Sequence, residues 1–248
     1  MMKGVLSICL FVIVLLTGWQ SLVSGFDLPH YILPSPMRVV TAFTTHFWLI
    51  LRHATVTFSE VMLGLIFGAL LGGMTAIALA ASPVIRMVMR PMMVLSQALP
   101  VFALAPILTL WLGYGLGSKI AMAVLIIFFP VTSAFFDGLM NTPRGYLDLA
   151  QTMGASTRHI MLKIRIPAAL PSLASGMKLA AVYAPIGATI GEWVGSSQGL
   201  GYLMLLANGR VKTDLMFAAM LTLGVMSVTL YALISVTLDR LIDYERPS

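Results

Sequence analysis

Cysteine is almost missing from this chain: Cys9 is the single thiol among 248 residues. One thiol excludes a disulfide framework and a cysteine-based metal cluster. Charge is scarce as well, with Asp, Glu, Lys and Arg making up 10% of the sequence. No stretch reads Gly-x-x-x-x-Gly-Lys-Ser/Thr, so the usual loop that cradles ATP phosphates is absent. Gly113-Tyr-Gly-Leu-Gly117-Ser-Lys119 resembles it only superficially, because the spacing is wrong. His46 and His53 are seven residues apart, which suits one helical face but supplies too few ligands for a metal. The net charge of +6 comes without a basic and aromatic array, which argues against nucleic acid.

Apolar residues are what the chain has in excess. They make up 59% of the sequence, and mean hydropathy is +0.96. A soluble domain of this size cannot hide that much apolar surface, so the natural solvent is a bilayer. Long apolar runs fall at 4–24, 60–81, 91–112, 119–139, 172–192 and 215–238. Each matches the roughly 20 residues that cross a hydrocarbon core. The expected fold is therefore an all-α polytopic membrane protein with about six transmembrane helices in a single domain over 1–248. The first run follows Lys3 and lacks a clear Ala-x-Ala site, so it reads as a retained anchor rather than a signal peptide.

Basic residues set the orientation. With both termini inside, the inner side holds Lys3, Arg86, Arg90, Arg144, Arg158, Lys163, Arg165, Arg240 and Arg246, with Lys178 near a helix entrance. The outer side holds Arg38, Arg52, Lys119, Arg210 and Lys212. Trp19, Trp48, Trp111 and Trp193 then lie at or beyond outer helix ends, as an interfacial belt requires. Between the first two spans, Leu33-Pro-Ser-Pro36 predicts a rigid turn. Met37 to His53 predicts an amphipathic helix lying along the outer interface.

Two spacings inside the spans are informative. Gly64, Gly68 and Gly72 recur every fourth residue, as do Gly187, Gly191, Gly195 and Gly199. Small residues at that interval allow close helix approach, either within one subunit or along a subunit interface. Pro91, Pro100, Pro106, Pro130 and Pro185 each remove a backbone donor and bend or break a helix. In lipid this suits a pathway lined by protein, although harmless kinks are the alternative.

The most polar segment lies at 141–167. Asn141-Thr142-Pro143 predicts a helix start, and the helix should run over about 143–153, carrying Asp148 and Ala150. Gly154 ends it with a turn needing a permissive backbone. Ser156 caps a second short helix to about Leu162, which Pro167 should stop. Two short helices at an angle, outside the membrane, form a docking element for a soluble partner.

The run Asp148-Leu149-Ala150, then Gly154-Ala155-Ser156, then Ile164-Arg-Ile-Pro167 resembles the EAA loop of binding-protein-dependent ABC importer permeases. It departs from that pattern with Asp for Glu, Leu149 for Ala and Ile166 for Leu. The resemblance implies that this loop is a coupling helix seated in a groove of a cytoplasmic ATPase. It also implies a periplasmic binding protein, a second permease copy in a homodimer, and a place in the bacterial inner membrane. No cofactor is implied on this chain, since ATP and Mg belong to the partner ATPase. Asp148 either pairs with a basic group in the groove or stabilises its own helix end.

Leu33-Pro-Ser-Pro36, His53-Ala-Thr55, Ala98-Leu-Pro100 and Gly199-Leu-Gly-Tyr202 resemble the nitrate, sulfonate and taurine group. Phe128-Phe-Pro130, Phe135-Phe-Asp-Gly-Leu139, Tyr183-Ala-Pro-Ile-Gly187 and Gly191-Glu-Trp-Val194 resemble permeases assigned to hydroxymethylpyrimidine, a thiamine precursor. Candidate pathway residues are Tyr183, Glu192 and Trp193, with Phe128 and Phe129. Rings stack on an aromatic heterocycle, and Glu192 accepts from an amino group. The competing reading makes Trp193 a belt anchor and Glu192 a solvated outer-end acid.

Two other classes fit poorly. Gly195-Ser-Ser197-Gln-Gly199 matches the Gly-x-Ser-x-Gly elbow of hydrolases, but it follows a helix and no histidine lies downstream. An ion-coupled carrier needs an ionisable group deep in the membrane, and Glu60, Asp137 and Glu192 all fall near span ends. The sequence also offers no paired intramembrane acids.

Overall fold

A computed structural model describes residues 2–243, apart from the side chains of 2–9, 96–98 and 243. Arg246 lies outside the described residues, as do the side chains of Lys3 and Cys9. Among the described residues the structure is helical and contains no strand. The helices are α1 (Met2–Gly25), α2 (Pro36–Thr45), α3 (Phe47–Ala81), α4 (Pro83–Ala98), α5 (Val101–Leu112) and α6 (Leu116–Met140). They continue as α7 (Arg144–Thr152), α8 (Thr157–Ile160), α9 (Ile166–Gly195), α10 (Leu200–Gly209) and α11 (Thr213–Asp243).

Among the described residues, four stretches are long and apolar enough to cross a membrane: Phe47–Ala81, Leu116–Met140, Thr157–Gly195 and Thr213–Ile242. Leu10–Gly25, Val101–Leu112 and Leu200–Gly209 are shorter apolar helices.

Several boundaries differ from the sequence expectation. The amphipathic segment is split. Its first half forms α2, and the remainder from Phe47 begins α3, which runs 35 residues without a break. Residues 47–60 contain no proline or glycine, so nothing stops the helix before the apolar run. The expected span 91–112 is not one helix. Leu99 is extended (φ −80°, ψ 131°) because it precedes Pro100, and α4 ends there. Helix α10 was not anticipated from the sequence.

Pro167 does not stop the second short helix. A five-residue π-helical turn, Met161–Arg165, carries the backbone from α8 into α9. The Ile166 N–H bonds back to the Met161 carbonyl, five residues earlier. The wider turn makes room for the proline ring, which in a regular α-helix collides with the carbonyl four residues before it.

The chain forms two compact units, Met1–Val56 with Ser197–Gly224, and Thr57–Ser196 with Val225–Ser248. In the first, Val39, Ala42, Ile50, Leu200, Leu203 and Ala219 build the core. Trp19 packs against it, 5.8 Å from the Phe217 ring, and its Nε1 donates to the Pro34 carbonyl at 3.0 Å. This tryptophan is therefore a tertiary anchor. His53 is buried, and its Nδ1 accepts the Gly199 N–H at 3.0 Å.

The second unit is organised around α6 and α9. Gly64, Gly68 and Gly72 of α3 face α6. A Cβ on Gly64 would lie 2.5 Å from the Ala123 Cβ, and one on Gly68 2.7 Å from Ile127 Cγ2. On α9, a Cβ at Gly187 would lie 2.7 Å from the Ala123 Cα. The glycine spacing thus serves packing within one subunit at these positions. Ala180, Ala184 and Ala188, all buried, extend the same close face.

Candidate functional site

The polar segment forms the first element of the site. Pro143 precedes α7, with Arg144 as its first residue, and the helix ends at Thr152. Asn141 closes α6 instead of capping α7, and Thr142 is buried with its hydroxyl donating to the Leu139 carbonyl. Gly154 takes φ +77°, the left-handed region in which a Cβ is strained. Ser156 caps α8 as expected, accepting the His159 N–H at 3.3 Å.

On α7, Ala150 is buried while Asp148 and Leu149 are exposed. Tyr146, Leu149 and Met153 are 61%, 60% and 78% exposed. Two large side chains on this short helix and Met153 just past its end, with an acid beside them, form an unpartnered surface. The Asp148 carboxylate has no hydrogen bond or ion pair among the described residues, and it lies beyond the first turn of α7. Ala155, Ile164 and Pro167 are half-buried, so they support the loop from beneath.

The candidate pathway residues separate into two groups. Tyr183 and Phe129 line one cavity of about 700 Å³, formed by α5, α6 and α9. Phe128 does not line it; its carbonyl accepts the Thr132 hydroxyl at 2.7 Å. Trp193 is half exposed and also lies outside the cavity lining.

Glu192 is neither a cavity residue nor a solvated end. It is fully buried, and its Oε1 accepts the Thr57 hydroxyl at 2.6 Å. Glu60 is fully buried beside it, close enough for the two carboxyls to interact directly. Neither Glu60 oxygen makes a hydrogen bond of good geometry. The Lys119 ammonium is 3.9 Å from Glu60 Oε1 and donates to the Tyr114 carbonyl at 3.4 Å. Lys119 is itself buried, which removes it from the outer-loop charges counted from the sequence. Two buried acids distant in sequence lie side by side, because α3, α6 and α9 pack closely enough to bring them together. The available sequence signal was Thr57 and Glu60, three apart and so on one face of an apolar helix.

Two polar residues not named for a pathway from the sequence, Ser133 and Asp137, join Phe129 on one face of α6. Phe129, Ser133 and Asp137 recur every fourth residue along α6, and all line the cavity with Tyr183. Arg86 and Arg90 lie with Asp137 around an adjoining cavity of about 250 Å³. Arg86 is committed elsewhere. It donates to the Leu79 and Ala80 carbonyls at 3.0 and 3.3 Å and sits 5.4 Å from the centre of the Phe136 ring.

Comparison with known proteins agrees with this architecture. Residues 64–244 match the family described as binding-protein-dependent transport system inner membrane component. A probable ABC transporter permease protein of Haemophilus influenzae is 53% identical over 94% of this chain and 95% of its own length. The formylaminopyrimidine transport permease ThiX of Halalkalibacterium halodurans is 34% identical over 91% of this chain and 90% of its own. In fold, the chain resembles the inward-facing MetNI methionine ABC transporter, with a TM-score of 0.68 and 22% identity, over 82% of this chain and 99% of that one. The relatives are transport subunits rather than enzymes, multi-pass proteins of the inner membrane whose ATPase is a separate chain. This chain belongs to the binding-protein-dependent inner membrane components, the ABC importer permeases.

Proposed function

We propose that this chain is a single permease domain with six spans and both termini inside, working as a homodimer. It moves hydroxymethylpyrimidine or a related thiamine precursor from periplasm to cytoplasm. A periplasmic binding protein delivers the solute. Two cytoplasmic ATPase subunits, which carry the ATP and Mg, supply the force.

The observation that carries this reading is the surface of α7. Leu149 and Met153 are exposed, Asp148 is unpaired, and Gly154 fixes the turn behind them. Apolar side chains on a rigid helix fit a groove, and the acid supplies a charge for a basic partner group. Of the two roles considered for Asp148, its position beyond the first turn favours pairing in the groove over a helix-end role. Ala150, Ala155, Ser156, Ile164 and Pro167 keep the loop stiff. ATP-driven closure then pulls the two loops together and tilts the helices behind them.

The ThiX relative supports the pyrimidine assignment. Transport of nitrate, taurine or aliphatic sulfonates is the second reading, on the shared motifs of that group. The deciding experiment identifies a secreted binding protein and an ATPase that assemble with this chain, purifies them and reconstitutes all three. Binding of hydroxymethylpyrimidine by the secreted protein and its ATP-dependent uptake are expected. Uptake of taurine, nitrate or an alkanesulfonate instead of the pyrimidine overturns the substrate assignment.

A further inference from the structure

Glu192 cannot accept from a passing solute, since it is fully buried and bonded to Thr57. The acid that faces open space is Asp137. It is exposed at the end of the line Phe129, Ser133, Asp137 on α6, opposite Tyr183 on α9 and Phe102 on α5. Its carboxylate has no hydrogen bond or ion pair among the described residues. Among the described residues, the walls of this cavity of about 700 Å³ are apolar apart from Asp137, Ser133 and Tyr183, and no Lys, Arg or His lines it.

We infer that Asp137 is a specificity-determining residue of this permease, selecting planar solutes that carry N–H donors and rejecting anions. The inference rests on reading this cavity as part of the translocation path. The rings of Phe102, Phe129 and Tyr183 offer faces and edges to a flat heterocycle. The carboxylate accepts from an amino or amidinium group, and the Ser133 hydroxyl adds one more polar contact. A sulfonate or nitrate entering the same space meets a like charge with no cation in the wall to offset it. Arg90 borders the smaller adjoining cavity and a separate one of about 760 Å³ along α4, but not the cavity of Tyr183, and Arg86 is already bonded to two carbonyls.

The test separates this inference from the substrate assignment by using probes of stated chemistry. The permease–ATPase complex is placed in nanodiscs and titrated with benzamidine, a planar N–H donor cation, and with benzoate, its anionic counterpart. Benzamidine is expected to bind, and benzoate to bind at least about tenfold more weakly, the size expected of one charge-assisted hydrogen bond. Asp137→Asn is expected to weaken benzamidine about tenfold and to narrow the gap between the probes, while Asp137→Glu retains most of the preference.

Arg90→Gln is expected to leave benzamidine binding equal or tighter. A tenfold loss there would mean that Asp137 acts as a partner for Arg90 and not for solute, and would overturn the inference. Equal binding of benzamidine and benzoate, no benzamidine binding by the wild type, or an Asp137→Asn protein indistinguishable from wild type overturns it too. Retained α-helical circular dichroism and ATPase binding in the variants exclude misfolding as the cause. These outcomes do not depend on whether the secreted protein binds hydroxymethylpyrimidine, so the two readings fail separately.

Discussion

The Thr57 hydroxyl donates to Glu192 Oε1 at 2.6 Å, joining α3 to α9 inside the second unit. Both residues are fully buried. Removing the hydroxyl with Thr57→Val is expected to cost about 1–3 kcal/mol, because a buried acceptor loses a donor that water cannot replace. Thr57→Ser should recover most of that loss. Thermal unfolding in detergent compares the two, and equal melting of the Val and Ser variants counts against a role for the bond.

Lys119 lies 3.9 Å from the buried acid Glu60. Lys119→Met leaves Glu60 without this cation, and breaking a buried ionic arrangement this way costs about 3–5 kcal/mol. Glu60→Gln alone is expected to cost less, since it removes a group whose oxygens already lack hydrogen bonds. Combining the two changes should restore part of what Lys119→Met loses. Strict additivity of the two effects in a melting series would show that the residues do not interact.

Gly154 holds φ +77°, and a Cβ there would meet nothing within 4 Å. Substitution strains the backbone without a clash, at a cost of about 1–2 kcal/mol. Gly154→Val should therefore insert into the membrane normally but couple ATP hydrolysis to uptake poorly. Gly154→Asn should be milder, because Asn tolerates the left-handed region. Wild-type uptake per ATP hydrolysed by the Val variant contradicts the coupling role given to this turn.

Gly187 presents the opposite case. Its φ is ordinary, but a Cβ would sit 2.7 Å from the Ala123 backbone, which cannot rotate away. Gly187→Ala is expected to destabilise by about 1–3 kcal/mol as α6 and α9 are pushed apart. Gly224 has open space around it, so Gly224→Ala on α11 serves as the control and should melt as wild type or slightly higher. Melting temperatures that fall equally in both variants would contradict a contact-specific cost.

The turn at Gly154 and the cap at Ser156 were legible because their signals are local. Ser156 and Gly154 shape the chain within a few residues of themselves, so their caps and turns survive whatever the helices do. Boundaries proved less legible where a continuous apolar helix hides its own limits, as in α3, or where a π-turn absorbs a proline, as at Pro167. Tyr183 and Phe129, two of the candidates for a substrate pathway, line one cavity. Glu192, a third, lies outside its lining, and hydropathy cannot tell which way a helix is rotated.

Composition alone determined that this protein lives in lipid, is built of helices and lacks its own phosphate loop, since each follows from residue type and spacing along the chain. The tertiary structure decided which ionisable groups are structural and which face open space. Glu60, Lys119 and Glu192 meet only because α3 and α9 pack on α6 through glycine and alanine, at distances no side chain larger than these would allow. That packing fixes the rotation of each helix, buries Glu192 against Thr57, and leaves Asp137 in the cavity wall.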